Sequence, residues 1–393
     1  MSSKDSRVLV TDCWTRKGLS TIRGLGEHGI TVDAMSHKRL TPAFYSKYAR
    51  RRLRVSNPKE RRERYAGQLV RAISEGGYDT VMPLETETIE ILQERREEVG
   101  PYTKLLLPTR EQFEKANDKW HVFRMAEELG IPAPRTLLPD SWEEASKEAR
   151  GLGYPLMVKA RSGSGSRGTK KVEHAEQLEG VYRRIQKEYG DPMLQACIRQ
   201  EGTGVGVACL ASGGVSLVLF SYRRLREYPV KGGPSTLRES TDDPRLKDYA
   251  ARLMERLRWI GVAMVEFKVD PGDGVPKLME INPRFWGSME LARVSGVDFP
   301  YLLYRLTMGE PVEQPNYNVG VRCRWLLPGD VSHFLANPRR LRMEPSFFRF
   351  FEKGTYYDQL QRNDLKGSLA TVICTALSAF DPETWKLGVL RDR

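Results

Sequence analysis

Two stretches of the chain hold residue types that can do chemistry at a useful spacing. The first is Lys159-Ala-Arg-Ser-Gly-Ser-Gly-Ser-Arg-Gly168, a lysine ending an apolar run and then a loop of small residues. Glycines at 163, 165 and 168 let backbone amides turn toward phosphate oxygens. Ser162 and Ser164 add hydroxyl donors and Lys159 a point charge, so a nucleotide phosphate is the natural guest. The same composition also suits a plain flexible loop. The spacing does not fit GxxxxGK[ST], so no P-loop is indicated. The second stretch pairs Glu266 with Glu280-Ile-Asn-Pro-Arg284. Strand alternation turns Glu280 and Asn282 to one face, and a neighbouring strand can bring Glu266 beside them. Two carboxylates and an amide oxygen suit Mg²⁺, which bridges nucleotide phosphates while keeping several waters. Their apolar neighbours make this a costly place for idle charge.

The elements that position these residues follow from hydrophobic periodicity. Arg7 to Asp12 reads as a buried strand, Gly18 to His28 as a helix and Ile30 to Met35 as a second strand, the opening of a parallel α/β layer. Helices over Tyr65 to Glu75 and Thr88 to Val99 alternate with short strands at Thr80 to Pro83 and Lys104 to Leu107, giving a doubly wound domain over residues 1–115. Its first turn, Asp12-Cys-Trp-Thr-Arg-Lys-Gly, lacks GxGxxG, which disfavours a dinucleotide there. Asp118 caps a helix closed by Gly130, and Pro132 and Pro134 mark a domain change. Beyond Tyr154 the chain predicts strands at Leu156 to Ala160, Val205 to Ala211, Val215 to Arg223, Val262 to Asp270 and Lys277 to Ile281, with a helix over Pro244 to Leu257. Hairpin signals at Ser212-Gly-Gly and Pro271-Gly-Asp-Gly make that sheet partly antiparallel.

Composition narrows the classes. No start signal or long apolar span appears, and the five scattered cysteines show no zinc spacing, so a cytoplasmic protein is expected. Sixty-three Lys plus Arg against fifty-one Asp plus Glu leave a formal charge of +12. The basic runs Lys47 to Arg54 and Arg339 to Arg342 read as solvated faces or partner contacts rather than a nucleic-acid site.

Taken in order, Lys119, Lys159 with its glycine loop, Met193-Leu-Gln-Ala-Cys-Ile-Arg-Gln-Glu201, Glu266 and Glu280-Ile-Asn-Pro-Arg284 resemble the ATP-grasp superfamily. The likeness is to its carboxylate–amine ligases, including the core of the carbamoyl phosphate synthetase large subunit and amino-acid or peptide ligases. The resemblance implies an ATP-grasp fold of mixed α/β and α+β class. It predicts an N-terminal doubly wound domain, a glycine-loop lid over residues 116–193 and a mostly antiparallel catalytic subdomain over residues 194–312. It also implies roles. Lys119, Lys159, Ser162, Gly163, Ser164, Gly165 and Gly168 would contact ATP phosphates, Gln195, Ala196 and Ile198 the adenine, and Glu201 the ribose. Glu266, Glu280 and Asn282 would hold Mg²⁺, for which Mn²⁺ can substitute, and Arg284 with Lys159 and Asn282 would be catalytic. Relatives often carry an acidic residue in the adenine hinge, whereas Gln195-Ala196 supplies none.

The expected reaction is ATP-dependent joining of a small carboxylate to an amine through an acyl phosphate. Carboxylation, another phosphoryl transfer and a non-catalytic nucleotide-binding regulator are the alternatives. Arg226, Lys231 and Arg238, between hinge and metal residues, are the candidate contacts to the acid, together with Arg284. Phe285-Trp-Gly-Ser288 either walls the acceptor pocket or packs the core. Residues 313–393 read as an appendage outside the resemblance. Its apolar run Leu369 to Phe380 suits a helix packed over the catalytic domain, ahead of a homodimer interface or a peripheral membrane contact.

Overall fold

The computed structural model describes residues 6–163, 168–199, 202–230 and 232–378. Four positions expected at the site, Ser164, Gly165, Glu201 and Lys231, lie outside the described residues.

The first layer is a parallel sheet of β1 (Arg7–Val10), β2 (Thr31–Ser36), β3 (Ala49–Arg54) and β4 (Thr80–Met82) in the order β3-β2-β1-β4. Helices α1 (Arg16–Glu27), α2 (Arg62–Gly76), α3 (Thr86–Glu94) and α4 (Arg96–Val99) cover it. Val8, Leu9 and Val10 are fully buried, as a strand covered on both faces must be. One expectation needs correction. Lys104 to Leu107 forms no strand: Lys104 makes a single bridge to Thr80, while Leu105 and Leu107 fill one core and Leu106 another. The fourth strand is instead the basic run, which becomes edge strand β3 with Arg50, Arg51, Arg52 and Arg54 exposed. An exposed edge needs no apolar alternation, and its charges discourage further strand pairing.

Helices α5 (Arg110–Asn117) and α6 (Lys119–Glu128) lead to the lid. The lid is an antiparallel sheet, β5-β8-β6-β7, of β5 (Thr136–Leu137), β6 (Leu156–Ala160), β7 (Thr169–Val172) and β8 (Pro192–Ala196), with α7 (Trp142–Leu152) and α8 (Leu178–Tyr189) packed on it.

The third layer is a seven-stranded sheet. Long hairpins join β9 (Thr203–Ser212) to β10 (Val215–Glu227) and β12 (Gly261–Val269) to β13 (Pro276–Asn282), and β11 (Ser235–Thr241) follows β10. Helix α9 (Pro244–Arg256) buries Leu246, Ala250, Leu253 and Met254 against one face, together with α5 and α6. The opposite face meets α1, α10 (Met289–Ser295) and α11 (Phe299–Met308) through Ala208, Phe220, Tyr222 and Met264. Residues beyond 312 are not an appendage. Strands β14 (Arg322–Arg324) and β15 (Thr355–Tyr357), separated by α12 (Val331–Ala336), complete the sheet in the order β13-β12-β9-β10-β11-β14-β15. Helix α13 (Leu365–Ser378) closes the described chain. Among the described residues no helix is long and apolar enough to cross a membrane.

Candidate active site

The site lies on the sheet face that looks toward α1. Pairing of β12 with β13 sets Glu266 opposite Glu280 and Met264 opposite Asn282, so the alternation expected from sequence holds on both strands. Next in the same row comes Gly206 of β9, opposite both Glu266 and Tyr222. A Cβ at Gly206 would sit 2.8 Å from the Tyr222 ring, and one at Gly204 would sit 2.8 Å from Arg224 Cδ. These glycines leave a trough through which Arg224 of β10 reaches across β9 to Glu266, at 2.5 Å.

Burial and the nearby Glu280 push the Glu266 carboxyl up, against the pull of Arg224. Two carboxylates and the Asn282 amide, whose Nδ2 donates to Glu280 Oε1 at 3.2 Å, therefore form a crowded, electron-rich corner. Among the described residues no group of three or more His, Cys, Asp or Glu side chains gathers as a metal site. Two carboxylates and an amide oxygen nevertheless match a hard cation that keeps waters and phosphate oxygens in its shell.

The lysines approach from the lid side. Asp118 caps α6 by accepting from Trp120 N at 2.9 Å, and its carboxylate pairs with Arg161 at 2.5 Å. Lys119 N donates to Arg161 O, which fastens the start of α6 to the end of β6. Lys119 Nζ consequently lies 2.7 Å from Gly163 O and 3.6 Å from Glu280 Oε2. Lys159, on β6, is buried, and its ammonium is lowered to about 8 by burial, with Glu280 opposing and Lys119 adding to the fall. Gly163 and Gly168 both take positive φ, 122° and 68°, conformations that side-chain-bearing residues avoid. The Gln195 side chain is turned into the lid sheet, its amide donating to Thr136 Oγ1 at 2.7 Å. Ala196 N pairs with Arg135 O, and Ile198 is nearly buried.

Beyond the carboxylates the first turn of the N-terminal domain supplies cations. Lys17 Nζ lies 3.0 Å from Glu85 Oε1 and donates to Phe285 O at 2.9 Å. Arg284 lies 3.8 Å from the same Glu85 and donates to Phe285 O at 3.0 Å. Burial and the Arg284 charge lower Lys17 to about 8, although Glu85 pulls the other way. Burial works against the Glu85 charge, but Lys17 and Arg284 prevail and keep its carboxyl below the usual range. Arg16 stacks on Trp325 at 4.0 Å, pairs with Asp358 at 3.2 Å, and is lowered to about 10 by burial and by Arg238 and Arg224. Gly287 makes room for it: a Cβ there would stand 2.8 Å from the Arg16 guanidinium.

Sequence reasoning passed over Arg16, Lys17, Glu85 and Arg224. The first three follow the ends of β1 and β4, where parallel sheets habitually open their clefts, so topology was the available signal. Two expected acid contacts are corrected. Arg226 makes a two-pronged pair with Asp330, 2.8 Å on each prong, and Arg238 pairs with Asp358 while fully buried. Both guanidiniums are committed to carboxylates of the C-terminal segment. Phe285 and Trp286 are core residues, 1% and 2% exposed, with Trp286 edge-on to Phe299.

Comparison with known proteins bears on this arrangement. Residues 191–327 match the family model described as ATP-grasp in the biosynthetic pathway with Ter operon. Residues 118–194 match the ATP-binding domain of the carbamoyl-phosphate synthase L chain. Mitochondrial acetyl-CoA carboxylase of Saccharomyces cerevisiae is 27% identical over 177 residues, which is 43% of this chain but only 8% of that protein. Among solved structures, the Campylobacter jejuni biotin carboxylase complex superposes with a TM-score of 0.68 at 18% identity, covering 80% of this chain and 74% of that one. The N5-carboxyaminoimidazole synthetase of Staphylococcus aureus, complexed with ADP, gives 0.62 at 13% identity over 79% of this chain and 80% of its own.

Proposed function

The chain belongs to the ATP-grasp superfamily, and on that premise we propose that it is an ATP-dependent ligase that activates a carboxylic acid as an acyl phosphate and joins it to an amine. The observation that carries this reading is the group Arg16, Lys17, Arg224 and Arg284, gathered beyond the metal-type carboxylates, in which Lys17 and Arg284 share the single acid Glu85. Such a concentration of donors suits an organic acid held by its carboxylate more than a single bicarbonate.

Lys119 and Lys159 hold the nucleotide phosphates in this account. Glu266, Glu280 and Asn282 would hold Mg²⁺, which when bound would neutralise charge on the transferring phosphoryl group. Lys17 and Arg284 fix the acid so that its oxygen faces the γ-phosphorus; the P–O bond to ADP breaks as the acyl–phosphate bond forms. Arg284 then stabilises the phosphate that leaves when the amine nitrogen attacks the carbonyl carbon, which is electrostatic catalysis by preorganised donors. Glu85, kept ionised, orients both cations and offers the incoming amine an anionic partner.

A second reading, carboxylation through bicarbonate, draws on the carboxylases among the relatives. One experiment separates the two. Phosphate release is measured with ATP and Mg²⁺ over a panel of acids and amines, singly and paired, beside a bicarbonate arm, with mass spectrometry of every mixture. Release that needs an acid with an amine and gives a condensation mass supports the ligase. Release that needs bicarbonate and no other acid, with a carboxylated form of a panel amine as the product, overturns it.

A further inference from the structure

Two features of the sequence take no part in the ligase site, the basic run Lys47 to Arg54 and the apolar run that begins at Leu369. The fold sets them side by side. Asp364, just before α13, pairs with Arg23 Nε at 2.9 Å, accepts from Ser46 Oγ at 2.8 Å and from Lys47 N at 3.0 Å. That buried carboxylate fastens the first turn of α13 to the residues leading into β3.

Helix α13 packs with its small residues inward, Gly367, Ala370 and Thr371 being its buried positions. Leu365, Leu369, Val372, Ile373 and Leu377 recur at helical spacing on the outer face and are 43% to 70% exposed. This reverses the ordinary arrangement of a surface helix. The packed-helix expectation is corrected accordingly: α13 rests on the N-terminal domain by a narrow seam and shows its large apolar side chains to the outside. Among the described residues, ten of the sixteen large exposed hydrophobic side chains lie between Leu335 and Leu377, so the exposure is concentrated in that stretch of the chain. In β3 and the turn before it, Lys47, Arg50, Arg51, Arg52 and Arg54 are exposed, and none has an acidic partner among the described residues.

We propose that this face docks on an anionic lipid bilayer, with the leucines and isoleucine of α13 entering the interface and the β3 arginines meeting lipid phosphates. Charge and shape select this occupant. A second copy joined through the same patch about a twofold axis would bring identical unpaired cations together. A nucleic acid would engage the arginines and leave the leucines in water. The fourteen described residues of α13 span about 21 Å, less than the apolar thickness of a bilayer, and the proposal lays them in the interface plane.

The test is flotation of the full chain with phosphatidylcholine vesicles, and with vesicles containing about one-third phosphatidylglycerol, at two salt concentrations. The triple variant Arg51→Gln/Arg52→Gln/Arg54→Gln and the double variant Leu369→Ser/Ile373→Ser change exposed side chains only, and thermal unfolding checks that both fold. The expected result is partition to the anionic vesicles alone. The charge variant should lose on the order of a hundredfold, at about a tenfold loss or less per arginine, and the apolar variant at least about tenfold. Failure of the wild-type chain to float with anionic vesicles overturns the proposal. So does binding that the Leu369/Ile373 variant leaves unchanged, which would be diffuse attraction to a basic protein. A dimer that this variant dissociates, without vesicle capture, would assign the face to a second copy instead.

Discussion

Arg224 and Arg226 stand two residues apart on β10 and have opposite surroundings. Arg226 is satisfied: both prongs meet Asp330, a third donor reaches Pro345 O at 2.7 Å, and Asp330 also takes bonds from Thr236 and Arg324. Arg224 is not. It bridges Glu266 and Glu227, its Nε has no partner, and the Glu266 it holds is pressed against Glu280. The far edge of the sheet is thus held by buried ion pairs, with Arg226 and Asp330 at their centre, that stitch β14 and β15 to the rest. At the metal edge like charges are crowded and lysines are driven toward neutrality. A buried pair with every donor used is structure, while buried charges left in mutual conflict await a ligand.

That contrast can be broken from either side. The largest effect is expected for Glu280→Gln, which should lower ATP turnover by about a thousandfold or more. Thermal unfolding of that variant should move by no more than about 2 °C, because no closed pair is lost. Turnover close to wild type would remove Glu280 from the metal corner. Arg226→Ala should do the reverse, costing about 3 kcal/mol in urea unfolding because buried Asp330 loses a two-pronged partner and keeps only Arg324 and Thr236. An unchanged midpoint would show that the far edge is not held by its ion pairs.

Smaller effects probe the cation group. Lys17→Met should raise the acid KM about ten- to a hundredfold while the ATP KM stays within about twofold, as for one lost charge-assisted contact. Lys17 also gives a pH signature. Its ammonium is lowered to about 8, so it is charged below that pH and neutral above it. Acid binding should therefore weaken as pH rises through about 8, and Lys17→Arg should carry the plateau to higher pH. A profile identical in both proteins would separate Lys17 from the acid. Gly287→Ala should have the smallest effect, a rise of a few-fold in acid KM as the new methyl displaces the flexible end of Arg16. Equal rises for acid and ATP would point to general distortion.

How much of this was legible depends on the range over which each residue is determined. Strands such as Leu156–Ala160 and the pair Glu266/Glu280 were readable because alternation and hairpin turns are local. The roles first given to Arg226 and Arg238 failed because their partners, Asp330 and Asp358, lie 104 and 120 residues downstream. Nothing near either arginine announces a carboxylate. Lys17 meets Phe285 across 268 residues, a meeting decided by how the parallel sheet docks on the seven-stranded one. Edge strand β3 was hidden for another reason: its sequence is written for solvent and carries no apolar period.

The most direct test of the central claim follows an oxygen atom. With the acid–amine pair that elicits turnover, the acid is supplied with ¹⁸O in its carboxylate and the released phosphate is analysed by mass. Acyl-phosphate chemistry predicts that one labelled oxygen moves from acid to phosphate in each turnover. Phosphate carrying no label, beside a condensed product that keeps one labelled oxygen while the other has gone to water, would contradict it.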